Sequence, residues 1–181
     1  MILAIDIGNT NIVLGGFRGG PVKFLARMTT DRHMEADQYA VQLQGIFELY
    51  DVDKVTIEGI VLSSVVPGVT EVMLRALRHF TSTQPVLLGL PLAGPLTVDI
   101  ENPAELGMDL LASAIAVQAR YPLPAVIIDM GTATKLIAID PDSKLRGGSI
   151  GPGPYVSLEG LAGNGWPLRG CLLYHIFPSR A

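Results

Sequence analysis

Near the start of the chain, Ile2-Leu3-Ala4-Ile5 runs into Asp6, Ile7, Gly8, Asn9, Thr10 and Asn11, and then into a second apolar run, Ile12-Val13-Leu14. That order predicts a buried strand, a tight turn and a returning strand. A carboxylate at the end of such a strand, beside backbone amides that small residues leave bare, suits a phosphate-bound Mg²⁺. The acid would face the metal and the turn the phosphate. From this stretch alone, an ordinary hairpin whose Asp6 caps its own turn is an equal alternative. A second copy breaks the tie. Ala125-Val126-Ile127-Ile128-Asp129-Met130-Gly131-Thr132-Ala133-Thr134 repeats the layout of apolar run, acid, glycine and hydroxyl residues. Neither G-x-x-x-x-G-K-[ST] nor G-x-G-x-x-G occurs, which argues against a P-loop or a dinucleotide fingerprint. Two such turns predict a duplicated domain with two phosphate-facing hairpins across a cleft.

The elements that must position these acids follow in order. Gly15 to Pro21 is a turn, and Val22 to Arg27 returns as a third strand, giving an antiparallel meander. Glu35 to Tyr50 carries Tyr39, Leu43, Ile46, Phe47 and Tyr50 at helical spacing, so an amphipathic helix buries that face and both tyrosines are core. Gly59 to Val66 reads as an inner strand that Pro67 stops, with Ser63 and Ser64 at the end where open α/β sheets bind ligands. Val69 to Phe80 reads as a helix and Pro85 to Gly89 as a strand parallel to the previous one. Asn102-Pro103-Ala104-Glu105 predicts a helix start that continues through Leu106, Leu110, Leu111 and Val117. Asp109 then lies about one and a half turns in, either as a solvated acid or as one placed at the cleft. Lys135 to Asp140 is a strand, and Arg146 to Pro154 is a glycine-rich segment whose backbone could approach a ligand or lead a strand into a helix N-terminus. Val156 to Leu161 could begin that helix, and the last fifteen residues show no defensible pattern.

Composition bounds the function. A chain of 181 residues, 49% hydrophobic and 17% charged, can bury a core as one domain or one domain and part of another. Net charge −4 gives no general basic surface and argues against a dedicated nucleic-acid binder. No leader pattern and no membrane-length apolar run stands in the sequence, so no membrane association and a cytoplasmic location are expected. Cys171 alone forms neither an intrachain disulfide nor a metal cluster.

The paired turns resemble the phosphate motifs of the acetate and sugar kinase, Hsp70 and actin superfamily. Asp6-Ile-Gly-Asn-Thr-Asn in particular is similar to type III pantothenate kinases. Ser63-Ser64-Val65-Val66-Pro67, Asn102-Pro103 with Gly107-Met108-Asp109, Asp129-Met-Gly-Thr-Ala-Thr and Gly147 to Gly153 follow in that family's order. The resemblance covers roughly residues 1 to 160. It implies an α/β fold of ribonuclease H-like duplicated domains, the first over 1–106 and an incomplete second over 107–181, with 164–181 divergent. It also implies ATP-dependent phosphorylation of pantothenate, the first step of coenzyme A synthesis, in a homodimer. By the same resemblance Asp6, Ile7, Gly8, Asn9, Thr10, Asn11, Ile12 and Val13 form the ATP-phosphate turn, with Asp6 on the Mg²⁺ side. Asp109 would be the general base and Thr132 an ATP contact. Asp129 would bind a monovalent cation, K⁺ or NH₄⁺, and the acceptor would lie against Ile100, Gly107, Met108, Asp109 and Leu110. These roles suit phosphoryl transfer.

Three departures from the family pattern bear on this reading. Leu110 stands where the family has an arginine for the pantothenate carboxylate, and loss of such a charge-assisted contact typically costs about 1.5–3 kcal/mol. Ile100 stands where a tyrosine lines the acceptor site. Past the Gly-Pro-Gly segment the family continues, whereas Asn164 to Ala181 does not match, as in a frameshifted or prematurely ended frame or a short paralogue. Two alternatives follow: a catalytically impaired relative that acts as a nucleotide-binding or regulatory accessory protein, and a kinase of this fold for an uncharged hydroxyl acceptor.

Overall fold

The computed structural model describes residues 1–163, which form two compact units. The first comprises Met1–Pro95 with Asn102–Ala116, and the second Leu96–Glu101 with the residues from Val117 onward. The expectations for residues 164–181, Cys171 among them, lie outside the described residues.

In the first unit β1 (Ile2–Ile7), β2 (Asn11–Phe17) and β3 (Val22–Thr29) make the expected antiparallel meander. β4 (Gly59–Ser64) runs parallel to β1, and β5 (Pro85–Leu87) parallel to β4, so the sheet order is β3-β2-β1-β4-β5. Alternation along these strands decides which face is buried. Leu3, Ile5 and Ile7 of β1, Ile12 and Leu14 of β2, and Ile60 and Leu62 of β4 all point into one core.

Two helices close that core: α1 (Ala36–Leu49) contributes Tyr39, Leu43 and Phe47, and α2 (Pro67–Phe80) contributes Met73, Leu77 and Phe80. Phe47 stands edge-on to both Phe24 and Phe80, with ring centroids 5.4 and 4.8 Å apart. Full burial of one such side chain is worth about 1.5–3 kcal/mol. Glu35 caps the start of α1, its backbone N–H donating to Gln38 Oε1 at 2.9 Å.

Three local expectations need correction. Helix α2 begins at Pro67, not Val69, because the fixed φ of proline suits the first helical position and its missing N–H costs nothing there. Tyr50 is 41% exposed; its ring lies over Phe24 at 5.3 Å and its hydroxyl donates to the Leu25 carbonyl at 2.9 Å, so only Tyr39 of the two tyrosines is core. The helix expected from Asn102 is broken. A short 3₁₀ turn over Pro103–Glu105 gives way to extended backbone at Leu106, and the regular helix α3 runs from Met108 to Arg120. Gly107, a poor helix former, marks the break.

The second unit has β6 (Thr97–Val98), β7 (Ala125–Met130), β8 (Ala133–Ile139) and β9 (Lys144–Pro152) in the order β6-β9-β8-β7, followed by α4 (Pro154–Gly163). The strands β7, β8 and β9 repeat the antiparallel meander of β1, β2 and β3. The glycine-rich segment is thus mostly a strand, and it leads directly into a helix N-terminus. Arg146 of β9 pairs with Asp99, just beyond β6, which ties the parallel pair at its end. The two meanders differ in what covers them. Leu3 and Ile5 are 0–1% exposed, whereas their counterparts Val126 and Ile128 are 68% and 58% exposed.

Leu77→Ala should destabilise the chain by about 2–5 kcal/mol, since it removes a fully buried side chain from the junction of sheet and helices. Urea unfolding followed by far-UV circular dichroism measures it.

Candidate functional site

Strand alternation puts Asp6 on the face of the first sheet opposite the helices. Its register partners are Val13 on β2 and Ser63 on β4. Ser63 is 7% exposed and its hydroxyl has no hydrogen-bond partner among the described residues, so a buried polar group stands one strand away from the acid.

The turn after Asp6 is held from several sides. Gly8 N–H donates to the Asn11 carbonyl at 3.0 Å, closing the hairpin. Thr30, just beyond β3, donates its backbone N–H to the Thr10 carbonyl at 3.0 Å and its hydroxyl to the Gly8 carbonyl at 2.7 Å. Arg32 donates to Asn9 Oδ1 at 3.0 Å. Asn9, Thr10 and Asn11 remain exposed. The result is an ordered, exposed turn of small polar residues next to a carboxylate.

Thr30 and Arg32 were not legible in the sequence as parts of this site. They reach it because β3 ends beside the β1–β2 turn, which only the strand pairing decides. Tyr39 holds the same segment: its hydroxyl donates to the Asp31 carbonyl at 2.8 Å and accepts from Asp31 N–H at 3.1 Å. Burial raises the Tyr39 phenol above its ordinary pKa. A groove of about 680 Å³ beside it, lined by Arg27, Thr30, Asp31, Arg32 and Gln42, contains none of the expected catalytic residues.

Asp109 lies in the first turn of α3. Its Oδ1 accepts from the Leu110 N–H at 2.9 Å, where the helix N-terminus favours negative charge. A Cβ at position 107 would come within 2.5 Å of that oxygen, so glycine is what leaves room for the carboxylate. Leu110 is 8% exposed and belongs to the buried side of the helix with Leu111 and Ala114. Ile100, in the bend after β6, is half-buried.

In the second unit, Gly131 N–H donates to the Ala133 carbonyl at 3.0 Å and leaves Gly131 and Thr132 exposed. Gly153 presses its backbone onto this turn, its N–H donating to the Thr132 carbonyl at 3.0 Å, and any side chain there would run into the turn's carbonyls. The Gly-Pro-Gly segment therefore packs against the second turn itself. Asp129 pairs in register with Lys135, whose Nζ lies 3.4 Å from Asp129 Oδ2.

The model of the family described as type III pantothenate kinase matches residues 2–170. The chain belongs to the type III pantothenate kinase family. It is 38% identical over 161 residues to a type III pantothenate kinase of an Exiguobacterium strain, covering 89% of this chain and 63% of that protein. The figures for the enzyme of that name from Moorella thermoacetica are the same. This chain thus spans somewhat under two thirds of the length of these relatives. Among solved structures, a reductive activator for a corrinoid, iron-sulfur protein matches with a TM-score of 0.52 at 15% identity, over 83% of this chain and 31% of that one. The two share a mixed α/β fold, and the repeated antiparallel meander is consistent with the duplicated domain that the resemblance implied.

Family membership implies a divalent metal, and the residues present fit one. Among the described residues no group of three or more His, Cys, Asp or Glu side chains is placed to cage a metal. One carboxylate beside a phosphate-binding turn is what Mg²⁺ uses when nucleotide phosphates and water supply its other ligands. Asp6 fits that role. The monovalent cation fits poorly. An ion on the Asp129 carboxylate would approach the Lys135 ammonium, and two like charges about 4 Å apart at an effective dielectric near 20 repel by about 4 kcal/mol.

Thr30→Val should cost about 1 kcal/mol by deleting the hydroxyl bond to Gly8. Faster hydrogen exchange at the Gly8 and Asn11 amides, with no change in the α2 amides, is the expected signature.

Proposed function

We propose that the chain is a kinase that transfers the γ-phosphoryl group of ATP to the hydroxyl of pantothenate, as the first step of coenzyme A synthesis. The observation that carries this reading is the repeated strand, acid and turn, in a chain whose family match runs from residue 2 to residue 170. In this proposal the amides of Asn9, Thr10 and Asn11 hold the nucleotide phosphates, with Gly8 closing the turn and Ile7, Ile12 and Val13 as the strand ends that fix it. Asp6 would hold Mg²⁺, which would supply positive charge to offset that of the nucleotide phosphates. Thr132 adds a further nucleotide contact.

Asp109 is the base. Its carboxylate accepts the acceptor hydroxyl proton while the hydroxyl oxygen bonds to the γ-phosphorus and ADP leaves. Support for this role comes from its seat over Gly107, which fixes one carboxylate oxygen by the Leu110 N–H. Gly107, Met108 and Ile100 border the acceptor in this proposal. No step passes through a monovalent cation at Asp129, because Lys135 weighs against one there.

We further propose a homodimer in the cytoplasm. No described helix is long and apolar enough to cross a membrane. The exposed apolar row of Val126, Ile128 and Met130 supports a covering surface of some kind.

A second reading has one observation in its favour. Leu110 is buried and apolar, so it offers a carboxylate nothing, and an acceptor alcohol without a carboxylate would lose no contact to it.

A coupled assay of ADP release with ATP, Mg²⁺ and pantothenate tests the first reading. We expect pantothenate-dependent turnover that Asp109→Asn lowers by about 10²–10⁴-fold, the usual size of a general-base contribution. No pantothenate-dependent turnover from protein with a cooperative unfolding transition would sink it. Turnover only with an analogue in which an amide replaces the carboxylate would establish the second reading.

A further inference from the structure

We propose that Lys135 is the built-in counter-cation of Asp129, so that the second turn works without a bound monovalent ion. The two hairpins supply the comparison. Each places an acid one residue before the end of its first strand, with a residue directly opposite on the returning strand. Opposite Asp6 stands Val13, and opposite Asp129 stands Lys135. Directly paired residues of an antiparallel ladder share one face and lie close together, so the lysine's position is set by register.

The geometry suits an internal cation. The Lys135 side chain is 23% exposed and that of Asp129 43% exposed, and their charged atoms stand 3.4 Å apart. A lysine head is a compact point charge with several donor hydrogens, close in size and charge to K⁺ or NH₄⁺. Its tether of four carbons to β8 removes the entropy that a free ion would lose on binding. Thr132, in the turn that follows Asp129, is the residue assigned to nucleotide above. The proposal depends on that assignment only for what the turn would bind.

Thermal unfolding of the whole chain without nucleotide, in KCl, NH₄Cl or choline chloride at equal ionic strength, tests it directly. Wild-type curves should superimpose in the three salts. Lys135→Thr, a change that keeps β-propensity, should lower the midpoint in choline chloride by about 2–4 °C, with saturable recovery in K⁺ or NH₄⁺. Saturable stabilisation of the wild type by K⁺ over choline overturns the proposal, as does a folded Lys135→Thr protein that responds alike to all three salts. Should that variant not fold, thallium-205 NMR of the wild type with Tl⁺ as the probe decides: no bound ion supports the proposal, and a bound ion that Asp129→Asn abolishes overturns it. Calorimetric titration with Mg²⁺ and ATP separates the two claims. Wild-type affinity should be equal in K⁺ and choline, and that of Lys135→Thr about tenfold weaker in choline. If nucleotide does not bind in any salt while the unfolding curves behave as stated, the nucleotide reading fails and the role of Lys135 stands.

Discussion

The structure depends on one constraint: a strand that buries alternate residues must turn the intervening ones to the other face. In β1 the buried set is Leu3, Ile5 and Ile7, locked against α1 and α2, so Asp6 is held on the opposite face with no freedom to rotate inward. Shifting β1 by one residue would bury the carboxylate and expose three large apolar side chains. The packing energy of the core therefore fixes the register of the acid. Everything proposed for the first turn, from metal contact to phosphate binding, uses that fixed position.

The second hairpin obeys the same rule with different surroundings. Asp129 and Lys135 share the face that also carries Ile127, Ile137 and Ile139, while Val126, Ile128 and Met130 form the row equivalent to the buried set of β1. The meander is repeated, but the charge across from the acid is not. The residue opposite the acid on the returning strand is Val13 in the first hairpin and Lys135 in the second.

Asp109 owes its place to a break rather than to continuity. Had the helix run on from Pro103, the acid would sit on a turn whose amides are already bonded to carbonyls. Extended backbone at Leu106 restarts the helix at Met108, so Asp109 finds an unbonded N–H one residue on, and Gly107 gives its oxygen the space. Leu110, next in line, faces the core and has no means to greet a charged acceptor.

The sequence by itself determined the strands β1 to β5, β7 and β8, the acid-turn repeat and the helices α1 and α2, because periodicity and turn chemistry are local and survive in one dimension. It also determined the family, since five motifs in order leave little room for coincidence, and the family match confirms it. The tertiary structure alone decided the rest. Strand pairing brought Thr30 and Arg32 to the first turn and Gly153 to the second, over separations that no local pattern encodes. The helix break was missed because the Asn-Pro-x-Glu signal is the same for a single 3₁₀ turn as for a long helix. What distinguishes them is whether the following residues can stay helical while Leu106 is buried, and that is a question of packing.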